Sequence, residues 1–417
     1  MLLLIATITV FNFNSIILES VALPLDSNPV SKSDNKKALF WQSSVRKGAN
    51  VFNRKISSSL ITAAKGYDID FIRLAPDKFL SSKRDFLIGD SDNHTNLIDE
   101  DLKTLKSVLD DFHIQKIPVV LTMLSLPGSR WKQNNNDKDD LRLWLSKEFQ
   151  NQAVKFWKEL ATELKDHPAI VGYDILNEPH LESLLLNQSP RNSSKVKREE
   201  LRHHLLQFYS DVVKAIRLVD HITPIILESS NHADPSSFNQ LEPIPSYQKN
   251  ILYSFHMYEP FPFTNGELNK ANFSYPGHTH SSFDEEIEFW NKTKLEAYME
   301  PVKAFQLKYN VSSDQILVGE FGAVRFSKGV DRYFKDLIDI FNGNKWHSAV
   351  YAFREDTWDG MDYELGSKRR KWNWKMKNQT EVGQVGDDHD DDETKTNEKE
   401  YLPNNTIFSV LREQWAN

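Results

Sequence analysis

The sequence predicts an α/β protein, a (β/α)8 TIM barrel forming a single domain with long rim loops. Three observations lead there. Short apolar runs of strand length recur along the chain, separated mostly by longer stretches with helical spacing. The length of 417 residues suits one decorated barrel. No Gly-rich phosphate turn follows the first run, as a doubly wound open sheet would typically want.

The strand candidates are 48–52, 69–74, 118–123, 170–176, 223–227, 251–255, 315–319 and 349–353. Between them, 102–112 places Leu102, Leu105, Val108, Leu109 and Phe112 at helix spacing. Stretches 153–164, 201–219 and 330–341 read the same way, and 402–415 reads as a closing helix.

Three insertions interrupt this alternation. Residues 181–200 carry Asn, Ser, Lys and Arg, and 259–285 are rich in Pro, Phe, Tyr and His; both follow strand ends, and either could line a substrate cleft. The third, 378–400, is acidic and of low complexity and reads as a mobile surface loop. Asp388, Asp390 and Asp392 begin like a calcium loop, but Glu393 and Lys399 stand where Gly and Glu are needed. Residues 381–400 hold nine acids against Lys395 and Lys399, and so carry nearly all of the net charge of −8. The body is close to neutral, which argues against nucleic-acid binding.

At the N-terminus, residues 1–22 resemble a signal peptide. Leu2 to Phe11 is apolar and Ser20-Val21-Ala22 offers small residues before Leu23-Pro24, though no basic residue precedes the run. Asn12, Asn14 and Glu19 break it, so stable membrane insertion is not expected. Residues 23–37 read as a linker and 38–417 as the catalytic domain. The expectation is a secreted or exported monomer. Glycosylation sequons at Asn93, Asn192, Asn272 and Asn291 matter only in a host that glycosylates. Cys is absent, which excludes disulfides, thiolate metal sites and a thiol nucleophile.

The chemistry is carried by acids at strand tips. The fourth run ends in Asn177-Glu178-Pro179, and the seventh in Gly319-Glu320-Phe321. Two carboxyls on one barrel rim are what glycosidic cleavage needs: one protonates the leaving oxygen, and the other attacks the anomeric carbon or activates water. The mechanism asks for Glu178 raised above the ordinary carboxyl range and Glu320 ionised. It requires neither cofactor nor metal. His203-His204 and His278-x-His280 lack convincing ligand spacing, and packing or solvated roles suit them better. Some of the ten Trp and 25 Phe could stack on sugars, although core packing accounts for most.

These motifs resemble glycoside hydrolase family 5, the cellulase-type retaining β-glycosidases, from about Gly48 to Trp415. The resemblance implies Glu178 as acid/base, Glu320 as nucleophile and Asn177 as the amide that holds the sugar 2-hydroxyl. It implies that Arg73, in Phe71-Ile72-Arg73-Leu74, orients the nucleophile, and that His256 and Tyr258, two apart on one strand face, flank the pair. Trp358, after strand eight, is assigned as the platform under the reactive sugar. Arg354, Glu355 and Asp356 fit substrate contacts and a rim ion network equally. One departure is Leu124, where the family usually carries His near the end of strand three; Trp131 follows as a sugar platform or a loop-packing residue. The implied activity is retaining hydrolysis of β-linked glycans, best matched to an endo-β-1,4-glucanase. A β-mannanase, an exo-acting β-glucosidase or a glycolipid hydrolase stands next, and a catalytically silent carbohydrate-binding barrel is the rival of another class.

Overall fold

The computed structural model describes residues 34–79, 84–186, 195–265, 270, 272–282, 284–356, 358–368 and 399–416. Its strands are β1 Lys47–Val51, β2 Ile72–Leu74, β3 Val119–Thr122, β4 Ile170–Asp174, β5 Ile225–Glu228, β6 Ile251–Met257, β7 Gly277–Thr279, β8 Glu288–Trp290, β9 Ile316–Phe321 and β10 His347–Val350. All but β7 and β8 close into one barrel in chain order, with β1 pairing β10 in parallel. Each apolar run read from the sequence overlaps one barrel strand. The antiparallel hairpin β7–β8 is inserted after β6. Its first strand and the short helix Phe261–Thr264 give structure to the insertion at 259–285.

The longer helices are α1 Asp34–Gln42, α2 Ser58–Gly66, α3 Asp99–Ile114, α4 Lys147–Leu164, α5 Lys195–Arg217, α6 Glu300–Tyr309, α7 Val330–Asn344 and α8 Thr406–Ala416. Their apolar stripes face the barrel; in α7, Tyr333, Phe334, Leu337, Ile338 and Phe341 are buried at helical spacing. Two boundaries need correction. Residues 34–37 of the expected linker belong to α1, and 195–200 of the expected loop at 181–200 belong to α5. The leader at 1–22 and the calcium-like stretch Asp388–Asp392 lie outside the described residues. No helix among the described residues is long and apolar enough to cross a membrane.

Helix α1 has a packing reason to exist. Trp41 caps the barrel floor: its Nε1 donates to the Val171 carbonyl at 2.9 Å. Its ring packs edge-on against Phe71 and His347, with centroids 5.3 Å and 4.9 Å away. His347 is held neutral. Its Nδ1 accepts from the Arg46 backbone N–H at 2.8 Å, and burial pushes its pKa down to about 4. The unfolded imidazole takes a proton near pH 6.5, while the folded one resists until about pH 4. Stability is therefore whole above pH 6.5 and lost as pH falls towards 4. The expected loss, roughly 3 kcal/mol from this group, should appear in urea titrations as a function of pH and shrink in His347→Gln.

Inside the barrel the side chains stack in layers, because alternate strand residues share a face. The floor is apolar: Trp41, Phe71, Val120, Val171, Ile226, Leu252, Leu317 and Ala349. Two residues further along several strands the layer turns polar, with Asn50, Arg73, Thr122 and Glu228, and Asp174 joins them from the end of β4; all are fully buried. Above them lie Phe52, Ala75, Leu124 and His256 at the strand tips. Gly319 on β9 makes room for this crowding: a Cβ there would sit 2.6 Å from Ser254 Oγ and 3.1 Å from His256 Nε2.

Candidate active site

Arg73 is the hub. It is wholly buried, and its donors are fully used. Nε donates to Asp174 Oδ2 at 2.8 Å. Nη1 donates to Asn50 Oδ1 at 3.0 Å and to Glu320 Oε1 at 2.7 Å. Nη2 donates to Glu228 Oε1 at 2.7 Å, Asn177 Oδ1 at 2.9 Å and Thr122 Oγ1 at 3.3 Å. A guanidinium has five N–H groups in one plane, so the fork fixes Glu320 and Asn177 relative to each other.

Glu320 lies one residue before the end of the barrel's seventh strand, β9. Besides Arg73 on Oε1, it accepts from the Tyr258 hydroxyl on Oε2 at 2.7 Å. Glu178 sits in the turn after β4, in left-handed backbone at φ 52°. That conformation sends its N–H to Glu228 Oε2 at 2.7 Å. Its Oε1 meets His256 Nδ1 at 2.9 Å, while His256 Nε2 meets Glu228 Oε1 at 3.1 Å. Atoms of Glu178, His256 and Glu320 lie within 4.8 Å of one another. With Asn177 Oδ1 taken by Arg73, the amide nitrogen of Asn177 is left as the group to face a ligand.

The electrostatics correct one expectation. Burial pushes Glu178 up, but the hydrogen bond and charge of His256 outweigh it, and its pKa falls below the usual carboxyl value. Burial disfavours the His256 cation, yet Glu228, Glu320 and Glu178 hold its pKa well above the ordinary imidazole value. Burial raises Glu320, against the opposing pull of His256 and Arg73. Asp174 is pushed to about 8 by burial and by Glu228. Four carboxyls thus face two cations, and they titrate as a group rather than as separate acids. The expectation of a Glu178 raised above the ordinary carboxyl range is therefore not met.

The structure brings together Arg73, Asn177, Glu178, His256, Tyr258 and Glu320. Trp358 is not in this hydrogen-bonded set: it lies 42% exposed on the rim, its indole against Gly360. The aromatic residue at the tip of β10 is Tyr351, whose ring packs on Phe52 at 5.3 Å. Its hydroxyl donates to Glu355 at 3.3 Å. Burial, then Glu355, Glu320 and Glu178, hold it protonated. Leu124 joins Phe52 and Ala75 in an apolar wall, with Trp131 and Tyr351 packed on it. Arg354, Glu355 and Asp356 form rim ties: Arg354 to Glu364 at 2.6 Å, Glu355 to Lys78 at 3.1 Å, and Asp356 to the Arg54 N–H at 2.9 Å. Sequence reasoning missed Asn50, Asp174, Glu228 and Tyr351.

Known proteins share this architecture. The family model Cellulase (glycosyl hydrolase family 5) matches residues 32–356. Endoglucanase C of Acetivibrio thermocellus is 24% identical over 348 residues, which cover 77% of this chain and 90% of that protein. A β-xylosidase of Phanerodontia chrysosporium is 22% identical over 271 residues, 63% of this chain and 50% of its own length. The chain thus spans only half of that relative. Among solved structures, Thermotoga maritima Cel5A in complex with cellobiose aligns with a TM-score of 0.57 at 15% identity, over 89% of this chain and 98% of that one. Because the family model covers most of the chain, from the floor helix α1 through both strand-tip acids to the loop after β10, this chain belongs to glycosyl hydrolase family 5.

Proposed function

We propose that this protein is a retaining glycosidase acting on β-linked glucan, with endo-β-1,4-glucanase activity as the best match. The observation that carries this reading is the closeness of Glu178 and Glu320, with carboxylate oxygens within 4.8 Å. Retaining enzymes hold their two carboxyls about 5–5.5 Å apart, whereas inverting enzymes need about 6.5–9.5 Å to admit water between them.

In this reading Glu320 attacks the anomeric carbon, oriented by Arg73 and Tyr258. Glu178 protonates the departing oxygen through Oε2, the oxygen that His256 leaves free. The 2.9 Å contact of Oε1 with His256 Nδ1 turns Oε2, which carries the proton in the reactive complex, towards the glycosidic oxygen. Glu178 then takes a proton from the water that breaks the glycosyl-enzyme. Asn177 holds the 2-hydroxyl of the reacting sugar. Tyr351 and the Phe52–Leu124 wall line its side, and Trp358 offers a stacking face further out. Export is supported by the apolar run Leu2–Phe11 and the small residues that follow it.

A panel of β-glucan, β-mannan and aryl β-glycosides tests the activity, and NMR of the first product tests the stereochemistry. The β-anomer is expected first; an α-anomer would refute retention. A protein that binds glycan yet hydrolyses none, with Glu320→Ala equally inert, would be a binding barrel instead. Glu178→Ala should lower kcat/KM on unactivated glucan by about 10²–10⁴-fold. It should spare the glycosylation step of substrates with acidic phenol leaving groups, because those depart without a proton. Stopped-flow bursts on such substrates would show it.

A further inference from the structure

The loop after β5 carries a feature that the catalytic pair does not explain. Three consecutive non-glycine residues are left-handed: Asn231 at φ 56°, His232 at φ 60° and Ala233 at φ 58°. Each disfavours the fold in isolation, so the surroundings must hold them there. They do. The Asn231 N–H donates to Glu182 at 3.0 Å, and the His232 N–H donates to the Pro179 carbonyl at 3.2 Å. At the far end, the Ser229 hydroxyl donates to the Asp234 carbonyl at 2.9 Å, and the Tyr298 hydroxyl donates to the Asp234 carboxylate at 2.8 Å. The strained turn is thereby fastened to the Asn177-Glu178-Pro179 turn.

What the turn presents is the His232 ring. One face stacks on His180, with centroids 4.8 Å apart and planes 4° from parallel. His180 is itself fixed, with Nδ1 on the Glu178 carbonyl at 2.9 Å and Nε2 3.7 Å from Asp139. The His232 side chain remains 55% exposed, and its Nδ1 lies 3.9 Å from Glu178 Oε2. That is the oxygen not engaged by His256. A rigid, flat, half-open ring therefore stands beside the oxygen from which a leaving group would take its proton.

We propose that His232, braced by His180, is the platform for the leaving group, and that the group it selects is a pyranose ring rather than a flexible alcohol. The inference rests on the glycosidase reading above and adds the residue that seats what departs. A flat ring rewards a ligand with an apolar face of matching size. A chain-like alcohol gains little from it and loses more freedom on being ordered.

The test compares cellotetraose, which leaves as a sugar, with β-cellobiosyl fluoride, whose leaving group has no ring. The readout is the ratio of their kcat/KM values for wild-type protein, His232→Ala and His232→Phe. The expected result is a ratio about 10-fold lower in His232→Ala, and near the wild-type value in His232→Phe, which keeps a flat face without the nitrogens. A ratio unchanged in His232→Ala overturns the platform, and so does a His232→Phe variant that falls as far as the alanine. Fluoride turnover by each variant reports that it is folded and that Glu320 is competent. Wild-type protein inert toward both substrates would overturn the β-glucan reading, and with it the sugar leaving group.

Discussion

Glu320→Ala is expected to lower kcat/KM on every substrate of the wild-type protein by roughly 10⁴-fold or more. Removing a nucleophile abolishes the covalent step, and what survives is binding and positioning. The protein itself should remain folded. The site holds Asp174, Glu178, Glu228 and Glu320 against Arg73 and His256, so deleting one buried acid relieves an excess of negative charge. Its lost hydrogen bonds, from Arg73 and Tyr258, offset that gain. Thermal unfolding should therefore move little. The chemical check is azide. In Glu320→Ala the anion can enter the vacated space and attack the anomeric carbon from the nucleophile's side, giving an α-glycosyl azide. In Glu178→Ala the glycosyl-enzyme still forms and azide attacks it from the opposite face, giving the β-azide. If the two variants gave the same anomer, the roles assigned to these acids would be wrong.

The residues legible from sequence were those at strand tips with an unusual chemistry for their setting. An acid after an apolar run is visible as a break in hydrophobicity, which exposed Glu178 and Glu320. Glu228 carried the same signal, since it follows Ile225-Ile226-Leu227. It was overlooked because no motif surrounds it, yet it accepts from Arg73, His256 and the Glu178 N–H. Asn50 and Asp174 were hidden by their position inside strands, where alternation alone cannot say which face lines a barrel. Tyr351 lay within the run read as strand eight. The strand ends at Val350, which puts Tyr351 at the tip and leaves Trp358 out on the rim. The left-handed turn at Asn231–Ala233 had no sequence signature, because the usual marker, glycine, is absent. The lowered pKa of Glu178 was likewise unreadable, since it arises from the hydrogen bond and charge of His256, delivered by β6 two strands away.

Arg73→Met should cost both stability and activity, and the two losses should separate with pH. Arg73 is fully buried, and its ion pairs with Asp174, Glu228 and Glu320 span 2.7–2.8 Å. Removing one partner of a buried ion pair costs about 3–5 kcal/mol, because the remaining charges are stranded. Here three carboxylates are stranded with only His256 to compensate. They respond by holding protons, so their folded pKa values rise above their unfolded ones. The folded variant then binds more protons than the unfolded chain, and its stability falls as pH rises. Denaturant midpoints should be nearest to wild type around pH 5 and furthest from it around pH 8. Activity should not recover in acid along with stability, because the proton that restores the fold sits on Glu320 and removes the nucleophile. Arg73→Lys separates charge from geometry. An ammonium supplies one cation and three donors in place of a planar five-donor fork, so it should recover much of the stability while leaving Glu320 and Asn177 misaligned. Stability and activity rising together in Arg73→Lys would mean that Arg73 acts only as a charge.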